Sequence, residues 1–276
     1  MKILVTGANG QLGREIARQG HEHELILTDS SNLNITNGAA VRSYFREVQP
    51  QAVIHCAAYT NVDGAESDMD NAFRVNVVGT QNIAAGCLET GARMVYVSTD
   101  YVFDGENQGA YREFDPINPQ SVYGHTKWQG EEIVRQILGR HYIVRTAWLY
   151  GDGNNFVRTM LKLAETNDTL RVVYDQVGTP TSTVDLARVI FKLLSSNSYG
   201  TYHATCQGKC SWYEFACEIF RQTGKYIKVV PVTTAELSRP ANRPMHSVLD
   251  NYMLRMTVGD PMSEWQDALR DYLKKT

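Results

Sequence analysis

Apolar residues along this chain follow two alternating rhythms. Short β-rich runs stand at 2–6 (KILVT), 24–28 (ELILT), 52–56 (AVIHC), 94–98 (MVYVS) and 142–146 (YIVRT). Between them lie longer stretches in which apolar residues recur every three or four positions, the spacing of one helical face. Over 38–48, Val41, Tyr44, Phe45 and Val48 stand at i, i+3, i+4 and i+7, and Pro50 ends the helix. Further helices are predicted over 11–19, over 70–89 with Gly91 closing it, and over 123–138. Continuous apolar strands alternating with helices are the pattern of a parallel sheet covered on both faces. The expected fold class is α/β, a Rossmann-like doubly wound parallel sheet.

Past residue 150 the rhythm loosens. Helical patterns are predicted near 155–166, 183–195 and 211–223, and short strands near 170–174 and 227–230. Pro231, Pro240, Pro244 and Pro261 are expected to bound loops and helix starts. The chain is therefore divided into a dinucleotide-binding domain over 1–150 and a smaller lobe over 151–276. Some segments of the lobe return to the first domain, and a cleft is expected between the two.

Composition narrows the function classes. The 276 residues carry 27 Lys and Arg against 30 Asp and Glu, a net charge of −3. No basic excess marks a nucleic-acid binder, and no apolar run reaches the roughly 20 residues that span a bilayer. The opening MKILVTG lacks the pattern of a signal peptide. Cys56, Cys87, Cys206, Cys210 and Cys217 are scattered and odd in number, unlike a disulfide framework. A cytoplasmic protein, monomer or homodimer, is expected.

Three local patterns carry chemistry. Gly7, Gly10 and Gly13 form a GxxGxxG loop between the first strand and the first helix. Such a loop brings backbone N–H groups and the positive helix end to a pyrophosphate. Its spacing differs from the commoner GxGxxG. Asp29, ending the second strand, suits the adenosine ribose hydroxyls, and no Lys or Arg follows it closely. This favours NADH over NADPH; the competing reading is a turn-capping Asp. Tyr123 and Lys127 stand four apart at the start of a helix, on one face. A phenol of pKa about 10 becomes a usable acid beside an ammonium. Ser98, Thr99 and Asp100 end the preceding strand and supply a hydroxyl for a substrate oxygen.

These segments, GANGQLG, AAYTNVDGAES, VNVVGTQNIA, STDYVFDG and YGHTKWQGE, together resemble the extended short-chain dehydrogenase/reductase family. RTAWLYG (145–151), GNNFVRTML (153–161), DQVGTPT (175–181) and RPANRPMHSVLD (239–250) are similar to a narrower branch that reduces nucleotide-linked keto sugars. The resemblance implies NAD(P)H-dependent reduction of the 4-keto group of dTDP-4-dehydro-L-rhamnose to dTDP-L-rhamnose. It implies a catalytic set of Thr99, Tyr123 and Lys127, with Tyr123 the proton donor. Gly7, Gly10, Gln11, Leu12, Gly13, Asp29, Ala57, Ala58, Tyr59 and Lys127 are the implied cofactor contacts. Thr99, Tyr123, Trp148, Arg243 and Ser247 are the implied contacts to the nucleotide sugar, and Asn76 is the implied structural Asn. Another nucleotide-sugar reductase or epimerase, and a non-catalytic subunit similar to the methionine adenosyltransferase β subunit, stay open as alternatives.

Some relatives form a magnesium-linked dimer through glutamates. Glu15 matches the first of these, but the second falls at Val184 or Asp185, so no metal is expected and Glu15 is read as an exposed helix charge. Cys206, Cys210, Cys217 and His203 do not match zinc spacing and are read as free thiols and a bystander. His55 is expected in the core and His125 on a helix face away from the site.

Overall fold

Six strands pair in parallel into one sheet, in the computed structural model, which describes residues 1–275. In chain order they are β1 (Lys2–Thr6), β2 (Glu24–Thr28), β3 (Ala52–His55), β4 (Arg93–Thr99), β5 (His141–Thr146) and β6 (Gly200–His203). Their spatial order is β6-β5-β4-β3-β1-β2. The chain starts inside the sheet, steps out to β2, then crosses back to β3. The direction of winding therefore reverses between β1 and β3, where open α/β sheets form their ligand crevice.

The five predicted strands are all present. The sixth, β6, was not predicted: Gly-Thr-Tyr-His has little apolar content, and β5 is its neighbour. Helices α1 (Gln11–Gln19) and α5 (Thr183–Leu194) cover one face, where Ile16, Leu186 and Ile190 pack on Ile3 and Val5. Helices α2 (Gly38–Val48), α3 (Thr80–Thr90) and α4 (Val122–Ile137) cover the other, where Val41, Phe45, Ile83 and Val134 pack on Leu4 and Val53. Strands walled on both sides explain the unbroken apolar runs. Asn37 and Ser121 cap α2 and α4, their side chains accepting from Ala40 N and Gly124 N.

The stretch over 70–89 is not the single regular helix expected. Met69–Phe73 and α3 are joined by a wider π-type turn over Arg74–Gly79. The later segments form helix α6 (Trp212–Thr223), the helices Phe156–Leu163 and Trp265–Leu273, and a parallel pair of Thr169–Val173 with Lys228–Val232. Pro231 lies inside that last strand rather than bounding a loop, a correction that physics accommodates. The strand has one neighbour, so its missing N–H breaks no second ladder. The core under α1 and α5 runs on through Tyr150 to Phe215 and Trp265. Among the described residues no helix is long and apolar enough to cross a membrane.

Candidate active site

A cleft of about 930 Å³ opens at the carboxyl ends of β1, β3, β4 and β5. At its β1 end the chain turns at Gly7, whose φ of +67° belongs to the left-handed region. A Cβ there would lie 2.7 Å from the backbone N of Ala57, and one at Gly13 would lie 2.4 Å from the Gly7 carbonyl oxygen. The loop is thus packed to the limit of a side-chain-free backbone. Helix α1 starts at Gly10 without a side-chain cap. The first-turn N–H groups at Gln11, Leu12 and Gly13 therefore face the cleft as an anion cradle. These features fit a dinucleotide pyrophosphate.

Asp29 lines the same cleft, and its carboxylate accepts from Ser31 N at 2.7 Å, Ser31 Oγ at 2.5 Å and Asn9 Nδ2. The Ser31 bonds hold it below its ordinary pKa. It closes its own turn, as a turn-capping Asp does, and also lines the cleft. Ala57, Ala58 and Tyr59 form the next stretch of wall. Asn76 fixes that loop: its side chain accepts from Tyr59 N at 2.8 Å, donates to Tyr59 O at 3.2 Å and donates to Thr126 Oγ1 at 3.0 Å. The wide turn over Arg74–Gly79 holds this Asn.

Opposite the glycine loop, Thr99, Tyr123 and Lys127 come together. Tyr123 is half-buried, and Tyr101 packs edge-on against its ring at 5.5 Å; the Thr99 hydroxyl lines the cleft with it, donating to Asp100 Oδ1 at 3.0 Å and accepting from Tyr101 N at 3.2 Å. Burial pushes the phenol up to about 12, with the Thr99 hydroxyl opposing. Lys127 is buried, gives a 2.7 Å hydrogen bond to Val97 O and stands 4.1 Å over the Tyr96 ring. Burial pulls the ammonium down to about 7, with Glu131 and Cys56 opposing. The trio offers a proton donor, a hydroxyl beside it and a cation one helical turn away.

The sugar-side residues divide. Trp148 lines the cleft beside the trio. Arg243 is set back, its guanidinium gripping Asp63 by two bonds of 2.9 and 2.8 Å, with Tyr101 as a further partner. Ser247 is buried behind Asp100, its N–H bonded to Val177 O. Three wall residues escaped the sequence reading as site residues. Asp100 is buried and pushed up to about 6 by that burial, and its Oδ2 lacks a hydrogen-bond partner. Thr146, in register with Thr99 across β4 and β5, also has an unpartnered buried hydroxyl. Trp212 reaches the wall from α6. Only Asp100, next to Thr99, carried a signal.

Glu15 corrects an expectation: it is buried rather than exposed, held by Arg18 and by Gln19 at 2.8 Å. Asp185 is likewise buried, with Arg188 at 2.8 Å. His55 is in the core as expected, bonded to Thr6 and Thr80 and pulled by burial to about 3. His125 is exposed. Cys206 and Cys210 are buried free thiols, pushed up by that burial.

Comparison with known proteins adds to this geometry. The family model described as RmlD substrate binding domain matches residues 1–276. The crystal structure of a dTDP-4-dehydrorhamnose reductase from Clostridium acetobutylicum ATCC 824 is similar with TM-score 0.98 and 56% identity, covering 100% of this chain and 99% of that one. That of dTDP-4-dehydrorhamnose reductase from Bacillus anthracis str. Ames, in complex with NADP, is similar with TM-score 0.98 and 40% identity, over 100% and 99%. The spore coat polysaccharide biosynthesis protein SpsK of Bacillus subtilis (strain 168) is 43% identical over 99% of this chain and 97% of its own length.

Proposed function

Because the chain belongs to the RmlD substrate binding domain family, we propose that it reduces the 4-keto group of dTDP-4-dehydro-L-rhamnose to dTDP-L-rhamnose. The observation that carries this is the convergence of Thr99, Tyr123 and Lys127 opposite a glycine cradle in one cleft. The reduced nicotinamide supplies the hydride for the carbonyl carbon. Tyr123 gives its proton to the carbonyl oxygen as negative charge develops there. Thr99 bonds the same oxygen and orients the phenol. Lys127, as an ammonium, holds the ribose hydroxyls and stabilises the phenolate that Tyr123 becomes.

The N–H groups of Gln11, Leu12 and Gly13 take the pyrophosphate, with Gly7 and Gly10 shaping the turn. Ala57, Ala58 and Tyr59 border the cofactor, and Asp29 receives the adenosine ribose. An anion at that ribose favours NADH, although the Bacillus anthracis relative was crystallised with NADP. Trp148 walls the sugar. Arg243 suits the substrate diphosphate, whose oxygens match its fork of donors, and would share or exchange its Asp63 partner on binding; Ser247 supports Asp100 beneath the sugar. The protein works as a cytoplasmic monomer or homodimer, without a metal.

The test is oxidation of NADH and of NADPH, followed by absorbance, with dTDP-4-dehydro-L-rhamnose made in situ. Substrate-dependent oxidation, reduced about 10²- to 10⁴-fold in Tyr123→Phe with cofactor affinity unchanged, is expected. Oxidation that survives the substitution removes Tyr123 as the acid. No oxidation with either cofactor moves the substrate to another nucleotide sugar.

A further inference from the structure

Trp148 is held in an unusual way. Its φ of +47° puts a bulky residue in the left-handed region, where only surrounding contacts keep it. One such contact is Trp212, the first residue of α6: the two indoles lie 3.6 Å apart, centroid to centroid, with 9° between their planes. Trp212 is itself backed by Phe156 at 4.6 Å, and Phe156 stacks at 5.4 Å on the fully buried ring of Phe215. A second contact is Gly178. A Cβ at that position would stand 2.6 Å from Cε2 of the Trp148 indole, so only glycine lets the ring settle where it does. Both indoles line the cleft, while the rings behind them anchor the pair to the core.

We infer that Trp212 is a positioning residue for the sugar subsite: with Gly178 it fixes the Trp148 indole before substrate arrives, so that the hexose meets a preformed aromatic wall. This rests on the proposal that Trp148 faces the sugar of a nucleotide-linked hexose. An indole free to turn about its side-chain bonds would have to be ordered by the substrate, and that ordering would appear as weaker binding. The chemistry itself, carried by residues on β4 and α4, would be little changed. A stacked aromatic pair carries enough interaction for a change of roughly two- to tenfold in affinity.

The test is steady-state kinetics of the full-length protein with dTDP-4-dehydro-L-rhamnose and reduced cofactor. Trp212→Leu is expected to raise the KM for the sugar nucleotide about five- to tenfold, leaving kcat and the cofactor KM within about twofold. Trp212→Phe, which keeps an aromatic face, should recover most of the loss. Gly178→Ala, which displaces the indole from another direction, should raise the same KM. Trp148→Leu is the reference, and Trp148→Leu with Trp212→Leu should be no worse than Trp148→Leu alone, since both act through one ring. If Trp148→Leu raises the sugar KM while Trp212→Leu does not, the inference falls and the role of Trp148 stands. If Trp148→Leu leaves that KM unchanged, the role of Trp148 falls and the inference with it. Equal rises in the sugar and cofactor KM for Trp212→Leu, or additive effects in the double variant, make Trp212 a general structural residue and overturn the inference. Should Trp212→Leu fail to fold, Gly178→Ala and Trp212→Phe decide: an unchanged sugar KM in Gly178→Ala overturns it.

Discussion

Replacing Glu131 by Gln changes one buried charge and almost no volume. Glu131, on α4, is fully buried and accepts from Arg145 Nε at 2.9 Å and Arg145 Nη2 at 2.7 Å. Arg135 Nη2 adds a bond of 2.8 Å and Ser98 Oγ one of 2.6 Å. Burial, the largest single influence, would raise the carboxyl, but Arg145, Arg135 and Ser98 together outweigh it and take it from 4.5 to about 2. In Glu131→Gln the buried Arg145 faces no anion, and breaking one side of a buried pair costs about 3–5 kcal/mol. Against a typical stability of about 5–15 kcal/mol, that loss is large. Equilibrium urea denaturation followed by circular dichroism measures it. Removing both charges, with Glu131→Met and Arg145→Met together, should cost less than Glu131→Gln alone. The acid arm has a defined sign. Because the folded carboxyl titrates below its ordinary 4.5, its stabilisation is complete above about pH 4.5 and is lost as pH falls toward 2. Glu131→Gln should flatten stability across that window. A cost under about 1 kcal/mol, or a double variant as unstable as the single one, would refute the reasoning.

Two further outcomes follow from the site. Since burial pulls Lys127 to about 7, the free enzyme should lose kcat/KM as pH rises through that region and the ammonium disappears; a profile flat from pH 6 to 9 would contradict a required cation. Gly13→Ala would force a Cβ to 2.4 Å from Gly7 O, so NADH affinity, read by quenching of protein fluorescence, should fall more than about tenfold while the core still folds. Unchanged affinity would remove the cradle from cofactor binding.

What the sequence made legible has a physical pattern. Strands β1, β3, β4 and β5 are read correctly because both faces are covered, so their apolar runs are unbroken; β2, at the sheet edge with Leu27 exposed, is legible from its β-rich run alone. The glycine loop, Asp29 and the Tyr123–Lys127 pair lie within single local segments, where spacing and position carry the signal. What was missed depends on pairs far apart in the chain. Gly200–His203 becomes a strand only because β5 lies beside it. Arg243 carries no mark that its partner is Asp63, 180 residues earlier. Glu15 reads as a surface charge because nothing in its own helix announces that α5 will cover it: Gln19, its bonding partner, also bonds Val184 O there. The turn at Arg74–Gly79 inserts a wider loop of helix without a break in apolar spacing, so Asn76 is legible by resemblance and its bonds to Tyr59 are not.

The way α4 meets β4 explains how such a site can stand ready in the free protein. Tyr123, Lys127 and Glu131 are spaced four apart, so they rise along one face of the helix. Three successive strand residues meet them: Thr99 lines the cleft with Tyr123, Val97 O accepts from Lys127 Nζ at 2.7 Å, and Ser98 Oγ donates to Glu131 at 2.6 Å. Two successive turns of the helix are thus tied to the strand by one hydrogen bond each. A shift of one residue between helix and strand would break both and leave a buried ammonium and a buried carboxylate misplaced. That cost selects a single register without reference to any ligand. The Arg145 pair extends the constraint to β5, because its guanidinium reaches Glu131 across the sheet. The charges that fix the helix are therefore also the ones that set Lys127, and a phenol carried on a helix so fixed needs little reorganisation to act as the proton donor proposed above.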